Sequence, residues 1–307
     1  MDRRTVVSAW TRWSWLVHLE RRDICFVLLV VGTLVWFQDP LRVVFAGSLE
    51  NESAQHYSHI ILIPVLCVYL LYLQRAVIFE SVEWSLLLGS ILMVTGGAVR
   101  LGVKEPISET LGDFFPTILS FTMICWGAFL FCYGIQAFRA ASFELGLMAF
   151  MIPLPSHALD AIVGFLQRSS ADAVEFLFSS LGVPVVREGF VFTLSNFTIF
   201  VAEECSGIRS FLALVITSLV AGYWFLTSWW ARLSLVTVVV PLAIIKNAFR
   251  IVGLTLLANY VDPTYLTDSA LHRTGGIPLF LLSLVVLVGV VWFLRRWECR
   301  TDSLITR

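Results

Sequence analysis

The sequence alternates long apolar runs with short polar segments along most of its 307 residues. A helix needs about 20 mostly apolar residues to cross the hydrocarbon core of a bilayer, and several runs approach that length. The pattern therefore predicts an all-α polytopic membrane protein with about eight transmembrane helices. The predicted spans are 24–37, 59–73, 84–103, 114–134, 138–155, 207–226, 233–258 and 276–294.

The first and fifth predicted spans have competing interpretations. The first follows a basic segment, as the core of a signal peptide would, and Val44-Phe45-Ala46 loosely resembles a cleavage site. The length of that basic segment and the interruption at Pro40-Leu41-Arg42 favour a membrane anchor instead. The fifth span contains Glu144 and is broken near its end by Pro153.

Residues 156–206 differ from the rest of the chain because polar and apolar positions are mixed there. Apolar residues recur at helical spacing through 157–181, with charged side chains between them, which predicts an amphipathic helix. The stretches 185–194 and 197–201, joined by a Ser195-Asn196 turn, predict a short β-hairpin before the helix that follows Cys205. Such a hairpin has to lie outside the hydrocarbon or be buried in protein, because open sheet edges are not tolerated in lipid.

Composition and charge placement agree with a membrane protein and suggest its orientation. The chain is 58% hydrophobic and 14% charged, whereas soluble domains carry about 25% charged residues. Both ends are rich in arginine, so the positive-inside rule predicts a cytoplasmic or interfacial segment at 1–23 and a cytoplasmic tail at 295–307. A single integral membrane domain then covers 24–294, with 156–206 as a non-cytoplasmic insertion. No basic or aromatic-basic pattern indicates a nucleic-acid partner.

One polar segment, 203–210, stands directly before an apolar run and holds a thiol, two carboxylates and a guanidinium. Its cysteine, Cys205, is one of six in the chain. The other five lie in apolar runs or in the basic tail, and no CxxC pair indicates a structural metal or redox centre. Arg250 lies inside the seventh span and His272 precedes the eighth. The eight-span topology therefore brings Cys205, Arg250 and His272 to the same non-cytoplasmic leaflet.

These three residues could form a thiol-based catalytic site. A helix N-terminus or a nearby cation lowers the pKa of a thiol from about 8.5, and a helix is predicted to begin just after Cys205. His272 could transfer protons and Arg250 could stabilise an oxyanion. Each also has a purely structural interpretation, as an ordinary cysteine, a loop histidine and a snorkelling arginine. The supporting candidates are Glu204, Ser206, Arg209 and Asn247.

Taken together, these residues resemble the exosortase/archaeosortase family. The resemblance covers residues 50–290 in the family's order, and Lys246 departs from it, since a small apolar residue is expected before Asn247. Its main segments are Glu204-Cys205-Ser206-Gly207-Ile208-Arg209-Ser210, Asn247-Ala248-Phe249-Arg250-Ile251, and His272 ahead of Gly275-Gly276. Its further segments are His56-Tyr57-Ser58-His59, Ile152-Pro153-Leu154-Pro155, and Gly182-Val183-Pro184 followed by Arg187-Glu188-Gly189.

The resemblance implies a membrane cysteine transpeptidase that uses Cys205, Arg250 and His272, with no cofactor and no metal. Its substrates would be secreted proteins with a C-terminal sorting signal (PEP-CTERM), made of a short Pro-Glu-Pro-like motif, a transmembrane helix and a basic cluster. The enzyme would cut near the motif and pass the acyl group to an unidentified acceptor. It would lie in the inner (plasma) membrane with its active site on the non-cytoplasmic face. Exopolysaccharide production is the family's usual bacterial companion.

Two other functions stay open from the residues alone. An intramembrane metalloprotease would need its ligands from a glutamate pair and distant histidines, a spacing that fits poorly. A transporter or exopolysaccharide-export component would use the charges of the seventh span as a pathway, although no inverted repeat or paired discontinuous helices are evident. The metalloprotease ligands would be Glu203, Glu204, His56, His59 and His272.

Overall fold

The computed structural model describes residues 20–43, 59–103, 114–194, 197–202, 206–262 and 276–305. These residues are mostly helical and belong to two compact units. The first unit lies within 1–46 and 60–153, and the second within 47–59 and 154–307. The described candidate residues belong to the second unit.

The first unit is arranged around one long, mostly buried helix. That helix, α4, packs against α1, α3 and α5. Its residues Phe129 and Tyr133 form an apolar cluster with Ile78 of α2 and Leu145 of α5. The elements are α1 (Arg21–Trp36), α2 (His59–Ile78), α3 (Leu86–Gly102), α4 (Phe115–Ala140), α5 (Ser142–Leu147) and a 3-10 turn (Met148–Met151).

Small residues let α3 and α4 approach each other closely. A Cβ atom added to Gly89 would lie 2.5 Å from the Cα of Phe131. Across the same contact, the hydroxyl of Ser120 donates a hydrogen bond of 2.6 Å to the carbonyl of Gly96. Membrane helices associate through such contacts because lipid tails provide no hydrophobic driving force for bringing helices together.

A break at Gly134 interrupts α4 where the sequence predicts the end of the fourth span. Gly134 has φ 83° and ψ 177°, outside the helical region. Next to the break, the backbone N–H groups of Glu83 and Ser85 donate to the carbonyls of Tyr133 (3.3 Å) and Phe131 (3.2 Å). The segment before α3 thus supplies hydrogen bonds to carbonyls at the break, where Tyr133 and Gly134 are buried in the protein.

The second unit combines a helix, a small sheet and three further helices. Its central helix is α8, since α6, α7 and α9 all pack against it. The helix predicted over 157–181 is confirmed as Ser156–Ser180. The elements are α6 (Ser156–Ser180), β1 (Val186–Glu188), β2 (Val191–Thr193), β3 (Thr198–Phe200), α7 (Ile208–Phe225), α8 (Trp229–Tyr260) and α9 (Gly276–Ile305).

The predicted two-stranded hairpin is a three-stranded antiparallel sheet in the order β1-β2-β3. The stretch predicted as one strand, 185–194, folds into two strands around a turn at Gly189, whose φ of 65° favours glycine. Its alternating apolar residues fit one long strand equally well, so the pattern alone did not reveal the turn. β2 and β3 pair as expected, while the Ser195-Asn196 turn between them lies outside the described residues.

Arg187 fastens the sheet to α6. Its guanidinium forms ion pairs with Asp172 (2.8 Å) and Glu175 (2.7 Å), and its Nε donates to the carbonyl of Gly189 (2.8 Å). Burial by itself would lower the pKa of Arg187, but the hydrogen bonds with Glu175 and Asp172 raise that pKa above its usual value. The apolar faces of α6, the sheet and α8 share one buried cluster, so the sheet is held to this unit by both packing and charge.

Glu298, near the end of α9, binds the turn between α7 and α8. Its carboxylate accepts hydrogen bonds from the backbone N–H groups of Ser228 (2.7 Å) and Thr227 (3.2 Å) and from the Ser228 hydroxyl (2.6 Å). Because Ser228 is also the N-cap of α8, the carboxylate stabilises the start of the central helix.

Four helices among the described residues are long and apolar enough to cross a membrane, namely α4, α7, α8 and the Gly276–Arg300 part of α9. A fifth candidate is the interrupted span formed by α5, the 3-10 turn and α6 together. The apolar parts of α2 and α3 are shorter, at Leu62–Ile78 and Leu86–Gly102. The helical class with membrane-length helices is thus confirmed, whereas the eight-span topology stays a prediction. The predicted fifth span, 138–155, is not a continuous helix, because α4 ends inside it and 152–155 is not helical.

We expect Gly89→Ala to destabilise the first unit, because the added methyl group would overlap the backbone of α4 at Phe131. Overpacking of this kind costs about 1–3 kcal/mol, and the measurement is the thermal unfolding midpoint of the purified protein in detergent. The matched control is Gly102→Ala on the same helix, where an added Cβ has nothing within 4 Å. Equal midpoints for the two variants would contradict the close approach of α3 and α4.

Candidate functional site

The predicted site residues divide between described and undescribed parts of the chain. Four candidates are described: Ser206 just before α7, Arg209 in the first turn of α7, and Asn247 and Arg250 on α8. Cys205, Glu204 and His272 lie outside the described residues, so the convergence of Cys205, Arg250 and His272 stays a prediction.

The helix that follows Cys205 begins with a left-handed turn at Gly207. This residue is the N-cap of α7 and has φ 77° and ψ 16°, a conformation that side chains with a Cβ rarely adopt. Space is restricted as well, since a Cβ added to Gly207 would lie 3.2 Å from Cγ and Oδ1 of Asn247. A glycine is therefore required here both by the backbone and by the close approach of α8.

Asn247 joins three elements at the start of α7. Its side chain is 1% exposed, packs on Gly207, and donates from Nδ2 to the hydroxyl of Ser170 on α6 at 3.1 Å. We refer to Ser170, Gly207 and Asn247 as the Asn247 junction. Asn247, a supporting candidate from the sequence, thus connects α6 and α8 to the turn after Cys205.

Lys246, the neighbour of Asn247, makes a second connection between α8 and α7. The lysine is 7% exposed, and its ammonium donates a hydrogen bond to the hydroxyl of Ser210 in the first turn of α7. That hydroxyl in turn donates to the carbonyl of Gly207 at 2.8 Å. A buried positive charge is thus tied to the turn that follows Cys205.

Ser206 and Arg209 flank this turn with opposite exposures. Ser206 is 2% exposed, and its hydroxyl has no hydrogen-bond partner among the residues that the structure describes. Arg209 is exposed. The hydroxyl that follows Cys205 is therefore buried beside the N-terminus of α7, whereas the arginine of the same segment is exposed.

Arg250 lies one turn beyond Asn247 on α8 and approaches the start of α9. Its side chain is half-buried, and its Nε lies 4.0 Å from the position that a Cβ on Gly276 would occupy. Gly276 is the first described residue after His272, four positions later in the sequence. Since residues three apart on a helix share a face, Asn247 and Arg250 are on the same side of α8, toward α7 and α9.

The amphipathic helix contributes residues that the sequence did not single out as functional. Ser170 belongs to the Asn247 junction, and the side-chain amide of Gln167 donates to the carbonyl of Val201 at 2.6 Å, two residues before the polar segment begins. Both side chains lie on the buried stripe of α6 with Val163, Val174 and Phe178. Their spacing at i and i+3 on the apolar face was a usable signal, since polar residues on a buried stripe have to be paired.

No group of three or more histidine, cysteine, aspartate or glutamate residues that could hold a metal occurs among the described residues. The metalloprotease interpretation depends on Glu203, Glu204, His56 and His272, which lie outside them, and on His59, whose side chain is not described. The structure therefore leaves that alternative untested.

Comparisons with known proteins identify one related family. The family model for transmembrane exosortase (Exosortase_EpsH) matches residues 49–289. No curated protein and no solved structure matches the chain.

Gly207→Ala is expected to destabilise the second unit more than Gly182→Ala does. Both glycines have positive φ, 77° and 68°, but nothing lies within 4 Å of a Cβ at Gly182. The left-handed backbone alone costs about 1–2 kcal/mol, so the difference between the variants isolates the contact with Asn247. Thermal unfolding measures both, and the added Asn247→Ala substitution should remove that difference. A difference that persists in the Asn247→Ala background would contradict the packing of Asn247 on Gly207.

Proposed function

Because this chain belongs to the transmembrane exosortase family, we propose that it is a membrane-embedded cysteine transpeptidase that cleaves the C-terminal sorting signals of secreted proteins. The substrate class is a PEP-CTERM-like signal, with a Pro-Glu-Pro-like motif, a membrane helix and a basic cluster. The reaction takes place at the non-cytoplasmic face of the inner membrane, in a protein that crosses the bilayer about eight times.

The arrangement around α8 is the observation that carries this proposal. Asn247 packs on Gly207, two residues after Cys205 in the sequence, while Arg250, on the same side of α8, approaches Gly276, four residues after His272. One face of α8 thus lies next to Gly207 and Gly276, glycines that follow Cys205 and His272 in the sequence. This supports a site in which Cys205, Arg250 and His272 meet.

In the proposed reaction, the sulfur of Cys205 attacks the carbonyl carbon of the scissile peptide bond. His272 takes the thiol proton, and the guanidinium of Arg250 stabilises the negative oxygen of the tetrahedral intermediate. The intermediate collapses to a thioester as the carbon–nitrogen bond breaks, and His272 gives its proton to the leaving amine. An acceptor nucleophile, or water, then attacks the thioester carbonyl and releases Cys205.

The start of α7 suits the first step of this reaction. The N-terminus of a helix carries a partial positive charge that lowers the pKa of a nearby thiol. Cys205 precedes the first residue of the 18-residue helix α7 by three positions. Lys246 adds a full positive charge to the same turn through Ser210, which favours the thiolate further.

Cys205→Ala is expected to abolish the processing of a co-expressed sorting-signal substrate, because the thioester cannot form. The mass of the recovered substrate measures processing, and Cys299→Ser is the matched control, since Cys299 is an exposed thiol at the far end of α9.

Arg250→Ala should reduce turnover by about 100-fold or more, the scale for loss of one oxyanion donor.

Normal processing by the Cys205→Ala variant would rule out the cysteine mechanism. Loss of activity with a chelator, combined with indifference to thiol alkylation, would favour the metalloprotease instead.

A further inference from the structure

Lys246 is a buried charge whose described surroundings do not neutralise it. In the part of the chain that the structure describes, its hydrogen-bond partner is the neutral Ser210 hydroxyl, and no carboxylate forms an ion pair with it. Among the described residues, the charge of Arg250, one turn along α8 and also positive, acts on Lys246. Buried cations are ordinarily paired with an anion or turned toward a functional cavity, and among the described residues Lys246 has no anionic partner.

Two further features of the same turn favour an anion. The first is the N-terminus of α7, whose N-cap is Gly207 and which has no side-chain cap; the first N–H groups of a helix have no partner within it. The second is the hydroxyl of Ser206, which is buried at 2% exposure without a hydrogen-bond partner among the described residues. Neither feature depends on Lys246, and each supplies a hydrogen-bond donor.

We propose that Lys246, Ser206 and the first turn of α7 form a carboxylate subsite that binds an acidic side chain of the substrate next to the scissile bond. This inference rests on the proposed function and names a residue that selects the substrate. An ammonium has three donors, of which Ser210 accepts one. A carboxylate has two oxygens that can accept from the ammonium, the serine hydroxyl and a backbone N–H at the same time.

The position of the subsite fits a substrate group better than a structural counter-ion. Ser206 follows Cys205 directly in the sequence. Gly207 and Ser210 are partly exposed, so the first turn of α7 is open to a side chain approaching from outside. A carboxylate bound there would hold the neighbouring peptide bond within reach of the thiol.

Selectivity is the property that such a subsite confers. A site built to bind a charged group rejects the neutral analogue strongly, because the buried donors are then left without partners. The subsite should therefore distinguish a glutamate from a glutamine in the substrate motif. A subsite with a small apolar residue in place of Lys246 should bind the glutamate and the glutamine side chain without preference.

The test measures peptide binding in the Cys205→Ala background, where no covalent intermediate forms. The protein is placed in nanodiscs of phosphatidylcholine, which has no net charge, so that no anionic lipid competes with the peptide carboxylate for the subsite. Two fluorescent peptides contain Pro-Glu-Pro and Pro-Gln-Pro, and their Kd values are measured with Lys246, Lys246→Met and Lys246→Arg. Ser206→Ala is the second variant of the subsite. Ser218→Ala is the matched control, a buried serine on α7 whose hydroxyl bonds to Val215.

We expect Lys246→Met to weaken the binding of the glutamate peptide by about tenfold or more, the scale for one charge-assisted hydrogen bond, and to leave the glutamine peptide unchanged. Lys246→Arg should retain most of the preference, Ser206→Ala should reduce it, and Ser218→Ala should not alter it. Thermal unfolding checks that each variant is folded. Should Lys246→Met fail to fold, the Kd values of Ser206→Ala provide the decisive comparison.

Three results would overturn the subsite. The first is that the glutamate peptide shows no preferential binding to the protein with Lys246. The second is an equal loss for both peptides, which indicates a structural role. The third is unchanged Kd values with a lower turnover of both peptides when Cys205 is present, which identifies the reaction's oxyanion as the anion. A protein that prefers the glutamate peptide only when Lys246 is present, but cleaves neither peptide, would support the subsite and contradict the proposed reaction.

Discussion

The hydrogen bond between Asn247 and Ser170, together with the contact of Asn247 on Gly207, is the constraint on which the candidate site depends. A buried amide that loses its partner costs about 1–3 kcal/mol, so the side chain of Asn247 fixes the distance between α6 and α8. The same side chain leaves room only for a glycine at the start of α7. The turn after Cys205 therefore depends on the packing of α8 and α6 as well as on the left-handed backbone of Gly207.

Four polar side chains of the second unit, in a chain that is otherwise strongly apolar, lie close to the first turns of two helices. Lys246, Ser206, Asn247 and Arg250 all lie near the start of α7 or α9. A membrane protein retains charges within its helices where they are paired or where they act on a ligand. Lys246 and Arg250 are two cations one turn apart on α8 and repel each other, and the proposed carboxylate subsite rests on this arrangement of charge.

The residues that carry the family resemblance have different physical roles. Gly207 and Asn247 shape the turn, since one provides the left-handed backbone and the other packs against it. Arg187 and Gly189 hold the small sheet to α6 at a distance from the turn. Arg250 is the described member of the motif that could contact a reacting group. Part of the motif is therefore a folding requirement, and the proposed chemistry concerns the remaining part.

Much of the fold could be predicted because hydrophobic runs and helical spacing are local properties of the sequence. The apolar runs at 207–226, 233–258 and 276–294 correspond to α7, α8 and α9, and the mixed stretch after Pro155 to α6. The family could also be predicted, because its motifs consist of specific residue types in a fixed order. The turn at Gly189 was missed because a glycine within an alternating stretch fits either a continuous strand or two short ones.

Other features were decided by tertiary structure, because they depend on distances between residues far apart in the chain. Asn247 and Ser170 are 77 positions apart, and Lys246 and Ser210 are 36 apart; no local pattern relates them. The sequence by itself determined that the chain has long apolar helices and a polar segment around Cys205. Only the packing of α6, α7 and α9 on α8 decided which polar groups lie beside that segment, since a buried donor takes the acceptor that folding brings within reach.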